Sequence, residues 1–370
     1  LLDNGKVSIQ QIAILILLAS IGDSILILPS AIAGVAGQDT WISCLVGIVL
    51  GLAVLAIMLL LARKFPRDSY IQIMNKLLGR WAGGALGAVL LCYTLIIMTT
   101  MVREVGDFMV SQMMTDTPLW SIHILLVLIM IFSVRGGIET IGRTSEIFLP
   151  IFVIFVAAFL LMTMPNMEPI KLQPIMGKGW FPVMQGSVFM TTMTFTELFA
   201  FLFLLPYVKR DKHMERDILL AAGLGGMAVS MVATACILVL GSYISAHHLY
   251  PAYALAKKIS IGNFLERVEA LLAVIWVISV FFKAVVFMYA FNTGVAHLLR
   301  LKDQRSLALP VGIILFSLAD VIAPNISYYN DVLNKDVPFS DLTFGLVIPL
   351  GLLLVAYIRG RMADSSRQGS

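Results

Sequence analysis

Charge is scarce in this chain: Asp, Glu, Lys and Arg make up 13% of its 370 residues, against 59% hydrophobic residues. A soluble domain of this length cannot hide so much apolar surface, and a mean hydropathy of +0.93 excludes that class. Cysteine is scarcer still. Cys44, Cys92 and Cys236 lie in apolar runs, without CxxC spacing and without a neighbouring carboxylate or histidine cluster, which excludes a metal site and leaves them as small hydrophobes. His123, His213, His247, His248 and His297 are scattered, and no Gly-rich phosphate loop or zinc spacing occurs. The sequence therefore carries no enzyme signature, and no cofactor, metal or catalytic residue is expected. No cleavable signal with a small-residue cleavage site is visible, and the first residue is Leu1.

What is abundant is apolar sequence. Ten apolar runs, about the 20 residues that cross a bilayer core, predict an all-α polytopic membrane protein. They cover approximately 8–36, 41–62, 82–114, 119–133, 146–164, 182–206, 217–245, 264–299, 307–323 and 338–358. Between the second and third, Tyr70, Met74, Leu77 and Trp81 fall on one face of a predicted helix over 69–81, which reads as an amphipathic helix lying in the membrane interface. A turn is expected from Arg135 to Arg143, and a short amphipathic piece at 255–259. The net charge of +4 points to topology rather than to nucleic acid. Eighteen Lys and Arg fall on one side of the predicted spans, whereas only Lys171, Lys178, Lys257, Lys258 and Lys335 fall on the other. The positive-inside rule then puts both termini in the cytoplasm.

The first run is interrupted. Between Ser20 and Pro29 it holds Gly22, Asp23 and Ser24, where lipid would require unbroken apolar helix; such breaks survive only beside protein or a cavity. The sixth run has a second polar break through Thr191, Thr192, Thr194, Thr196 and Glu197, entered from the opposite side. The third and eighth runs carry intramembrane cations, Arg103 and Lys283, in their later halves. Five segments followed by five of opposite orientation, each set led by a broken helix, is the 5+5 inverted-repeat plan of secondary transporters. The expected units are 8–165, 182–359 and a cytoplasmic tail over 360–370.

Several motifs carry a more specific resemblance. They are Arg135-Gly136-Gly137-Ile138-Glu139-Thr140-Ile141-Gly142-Arg143 leading to Glu146 and Pro150, Lys178-Gly179-Trp180, Thr196-Glu197 with Leu205-Pro206-Tyr207, and Leu265-Glu266-Arg267-Val268-Glu269-Ala270 through Trp276 to Lys283. In this order and spacing the chain resembles the B-subunit family of spore germination receptors, permease-like members of the amino acid–polyamine–organocation superfamily. The resemblance implies a protein of the spore inner membrane that senses a small nutrient, an amino acid, sugar, nucleoside or ion, together with A-type and C-type partner subunits. A proton-coupled amino acid permease is the alternative, with Glu197 as proton carrier. A mainly structural scaffold fits less well, because polar breaks are costly without use.

The residues expected to bind ligand are Gly22, Asp23, Ser24, Thr191, Thr194 and Glu197. In related amino acid transporters, backbone N–H groups at the first break bind the substrate carboxylate. Asp23 departs from that pattern: ionised, it favours an amine or a hydroxyl-bearing ligand, unless a structural partner such as Lys283 occupies it. Thr194 and Glu197, three apart, share a helix face, whereas Thr191 and Glu197 share one only if the helix unwinds between them. Any one threonine can instead bond back to its own helix. Lys283 is expected either to brace the site in place of a bound cation or to snorkel toward the interface. Arg103, Glu104 and Asp107 are read as an ion pair, Arg103 with Asp107, or as an outer gate.

Overall fold

A computed structural model describes residues 5–209, 211–259, 268–323 and 336–368, with side chains through 359. Arg210 and Lys335 of the charge count, the sequence from Leu265 to Arg267 and the start of the eighth predicted run lie outside the described residues, as do the side chains of Arg361 and Arg367. Among the described residues the regular structure is helical, apart from one parallel bridge between Val7 and Val208.

The first predicted span forms two helices, α1 (Ile9–Ile21) and α2 (Ser24–Ala36). Ser8 and Gln11 close a capping box at the start of α1, each side chain satisfying the other's backbone N–H. Gly22 ends it at φ +33°, ψ −127°, a conformation that favours glycine. A further glycine turn at Gly37 (φ +60°) leads into α3 (Thr40–Lys64). The helices α4 (Tyr70–Leu78), α5 (Arg80–Phe108), α6 (Leu119–Gly136) and α7 (Ile138–Thr163) follow. The sixth predicted span is α8 (Trp180–Phe195), continued by a 3₁₀ helix, Thr196–Phe203. Then come α9 (Met214–Leu240), α10 (Ser242–His247), α11 (Pro251–Lys258), α12 (Val268–Leu299) and α13 (Ala308–Val321). The chain ends in α14 (Val337–Leu342), a π-helical turn over Thr343–Val347, and α15 (Ile348–Gln368).

Eight helical stretches among the described residues are long and apolar enough to cross a membrane. With large apolar side chains such as Phe132, Ile154 and Val321 facing outward, this is a multi-pass membrane protein. Eight rather than ten meet that length, in part because the Gly22 break leaves α1 only 13 residues and α13 has 14. In the interior α8 packs on α2 and α3, α1 on α9, and α12 on both α1 and α5. Small residues allow the closest approach: Gly51 of α3 seats the Phe195 ring, where an added Cβ would lie 2.2 Å from Cδ2.

Two expectations are corrected. The long turn from Arg135 to Arg143 shrinks to Gly137 (φ +85°), and α7 begins at Ile138 because 138–143 supply a helical face that buries Ile138, Ile141 and Gly142. The amphipathic helix exists, but its apolar face, Tyr70, Ile71, Met74 and Leu77, is buried against the bundle, chiefly α5. Gly79 (φ +86°) ends it, so Trp81 belongs to α5 and points outward at 88% exposure.

Candidate functional site

The two breaks meet, and Lys283 joins them. Its ammonium donates to Asp23 Oδ1 at 2.5 Å and forms an ion pair with Glu197, bridging the α1–α2 break and the 3₁₀ helix from α12. All three side chains are withdrawn from solvent, Lys283 at 2% exposure, Glu197 at 7% and Asp23 at 16%. Two carboxylates thus face one ammonium, so each of these charges has a partner of opposite sign inside the bundle.

The local backbone explains how Asp23 reaches Lys283. It sits at the N-cap of α2, where an aspartate ordinarily accepts from the helix's first N–H groups, yet its side chain makes no cap bond. Its carboxylate is given to the lysine instead. Gly22 is required beside it, since an added Cβ would stand 2.4 Å from Lys283 Cδ. The carbonyl freed at Gly22 accepts from the Ser279 hydroxyl at 3.1 Å, one helical turn before Lys283 on α12. Ser24 donates to the Met193 carbonyl of α8 at 3.0 Å, tying the first break to the residue three before the second.

The second break is of a different kind. Helix α8 remains α-helical through Phe195 and then tightens into eight residues of 3₁₀ helix beginning at Thr196. It does not unwind between Thr191 and Glu197. Thr191 therefore lies on another face, where its hydroxyl donates to the Ser187 and Gly47 carbonyls at 2.8 and 3.2 Å. The Thr194 hydroxyl approaches the Met190 sulfur at 3.7 Å, and Thr196 bonds back to the Thr192 carbonyl at 2.7 Å. The structure thus brings together Gly22, Asp23, Ser24, Glu197 and Lys283, and leaves Thr191 turned toward α3.

Arg103 forms a separate group. Its Nε donates to both Asp107 carboxylate oxygens at 2.9 and 3.0 Å, and its Nη1 donates to the Ala319 and Asp320 carbonyls at 3.3 Å, fastening α5 to the end of α13. Glu104 is buried on the same helix. One turn further, Phe108 meets Tyr250, Tyr253 and Trp276 edge to face at 4.7–5.2 Å.

One acidic group was missed. Asp341, 1% exposed on α14, accepts a hydrogen bond from the Tyr93 hydroxyl of α5. Its signal was present, a single carboxylate in the last apolar run, but its place four residues into that run reads as a loop edge.

Buried polar groups at two facing helix breaks define a membrane protein of transporter architecture. The fold agrees: it superposes on Mhp1, a nucleobase-cation-symport-1 family transporter in a closed conformation with bromovinylhydantoin bound, with a TM-score of 0.69 at 11% identity, covering 91% of this chain and 76% of that one. MhsT in complex with L-phenylalanine gives a TM-score of 0.67 at 14% identity, covering 95% and 89%. A sequence model described as "Spore germination protein" matches residues 6–325, and the chain belongs to that family. It is 26% identical to spore germination protein KB of Bacillus subtilis (strain 168), over 99% of this chain and 98% of the relative. Spore germination protein YndE of the same organism is 27% identical over 80% of this chain and 82% of its own length.

Proposed function

We propose that this chain is the nutrient-sensing subunit of a spore germination receptor, built on ten membrane segments in a 5+5 inverted repeat with both termini cytoplasmic in the spore inner membrane. A small polar germinant, such as an amino acid, binds at the bilayer midplane between the two breaks, and A-type and C-type subunits read the resulting shift. The observation that supports this reading is the Lys283 bridge between Asp23 and Glu197. A zwitterion matches it group for group: its carboxylate takes Lys283, and its ammonium takes Asp23 or Glu197. The exchange keeps every buried charge paired while separating α12 from one of the breaks, so the ligand's differential affinity shifts the bundle.

Spores carrying Asp23→Asn or Glu197→Gln at normal protein level test it. The expected outcome is a nutrient dose dependence displaced at least tenfold, and an unchanged one removes both residues from ligand recognition. The transporter fold supports a second reading, a proton-coupled amino acid permease with Glu197 as carrier. Uptake of labelled amino acids into vesicles under an imposed proton gradient favours that reading over a pure sensor.

A further inference from the structure

The N-terminal segment and the end of the second broken span are laced together at one end of the bundle. Val7 and Val208 form the parallel bridge, the Val7 N–H donating to the Tyr207 carbonyl and the Lys209 N–H to the Val7 carbonyl, both at 3.1 Å. Successive side chains of extended backbone point to opposite faces, so burial of Val7 and Val208 turns Lys6 and Lys209 outward together. Both line a cleft of about 460 Å³, to which the turn between α3 and α4 contributes Pro66 and Arg67.

Three cations from three separate segments thus share one cleft, and none of its described lining residues is acidic. The acids next to them in sequence are engaged elsewhere: both Asp68 oxygens accept from Lys76 at 2.7 Å, and Asp211 accepts from the Lys212 N–H. Among the described residues Lys6, Arg67 and Lys209 form no salt bridge. Like charges so placed repel, and the uncharged remainder of the wall, which includes Pro66 and Pro206, concentrates their field. An anion relieves that repulsion. A carboxylate brings one charge, whereas a phosphate monoester brings about two and presents paired oxygens to the planar fork of Arg67, with the lysines as point charges beside it. Small-molecule sites occupy about 300–1,000 Å³, so the cleft also has room for the body that carries the phosphate.

We propose that this cleft binds a phosphate group, carried either by a soluble phosphate or by the headgroup of an anionic lipid. Bound there, it joins by charge the two segments that the Val7–Val208 bridge joins by hydrogen bond, the one leading into α1 and the one leaving the second break. The site stands on its own cations and is independent of what occupies the breaks.

Two arms of one experiment on the full chain test it. The wild type is set beside Lys6→Gln/Arg67→Gln/Lys209→Gln and a control, Arg80→Gln/Arg135→Gln/Lys302→Gln, which loses the same charge from exposed cations elsewhere. In uncharged detergent, binding of labelled inorganic phosphate is measured at fixed ionic strength. From vesicles of phosphatidylcholine and phosphatidylglycerol, the lipid retained by each purified chain is counted by mass spectrometry. The cleft variant is expected to lose about tenfold or more in phosphate affinity or in retained phosphatidylglycerol, while the control matches the wild type. A loss in the first arm assigns a soluble phosphate, and a loss in the second alone assigns a lipid headgroup. A wild type that binds no better than the cleft variant in both arms overturns the proposal, as does an equal loss in the cleft variant and the control. If the triple variant fails to assemble, Arg67→Glu on its exposed turn decides, and unchanged phosphate and lipid binding counts against the site.

Discussion

The two helix breaks do the same geometric job by different chemistry. The first is abrupt: Gly22 takes a positive φ, one helix stops and another starts two residues later. The second has no glycine and no positive φ; α8 passes directly into 3₁₀ helix for eight residues, well beyond the three or four such helices usually run. A glycine break costs little to maintain but has one geometry, set by a backbone conformation other residues resist. A long 3₁₀ run has poorer hydrogen bonds throughout and is held by its surroundings, the Lys283 ion pair at Glu197 and the π turn pressed on Thr196. The first break is thus expected to be the fixed half and the second the half that yields, a difference that substitutions can test.

Removing the shared lysine has the largest expected effect on both. Lys283→Met leaves Asp23 and Glu197 buried and facing each other without a cation, and breaking a buried pair in this way costs about 3–5 kcal/mol. Thermal unfolding of the purified protein in detergent checks this. Adding Asp23→Asn and Glu197→Gln to Lys283→Met should restore most of the loss, since the cost lies in unpaired charge. A triple variant no more stable than Lys283→Met would place the cost in packing instead.

The glycine in the first break and the glycine packed against the second come next. In Gly22→Ala the new methyl meets Lys283 Cδ and the Ala19 carbonyl at 2.4 and 2.9 Å, and the residue must hold φ +33°. Left-handed strain and overpacking together predict a loss of about 2–4 kcal/mol. Gly345→Ala presses on the second break from outside, its methyl 2.4 Å from Thr196 Cβ. Because the π turn and the 3₁₀ helix can both yield, about 1–3 kcal/mol is expected by the same unfolding measurement. A larger loss for Gly345→Ala than for Gly22→Ala would reverse the assignment of fixed and adjustable halves.

These differences set how much was legible in the sequence. The first break could be read directly, because Gly22, Asp23 and Ser24 interrupt an otherwise apolar run and only a backbone break explains all three. The family could be read from its spaced motifs, and Lys283 from its isolation in an apolar helix. The second break was harder. Its threonines look like a polar break, but hydroxyls can satisfy themselves on their own helix carbonyls, as Thr191 and Thr196 do, so they mark no change in backbone. The passage from α to 3₁₀ leaves no residue signature. Asp341 and Tyr93 became a pair only when α14 and α5 were placed side by side, a contact across 248 positions of sequence.

The smallest expected effect lies in an uncharged hydrogen bond that joins the two breaks. Ser24, on the first turn of α2, donates to the Met193 carbonyl of α8, which also faces Lys283 Nζ at 3.4 Å. In Ser24→Ala that carbonyl keeps the lysine as a donor, so it is not left unsatisfied, and the loss should be near a single neutral hydrogen bond, about 1 kcal/mol. The same change removes a bond between α8 and α2 just before the second break, so under the proposed sensing role it should cost little stability while shifting the dose dependence. Germination assays set beside thermal unfolding of Ser24→Ala separate the two effects. A stability loss well above about 1 kcal/mol, with an unchanged dose dependence, would make this bond part of the fixed half and leave Lys283 alone to couple the breaks.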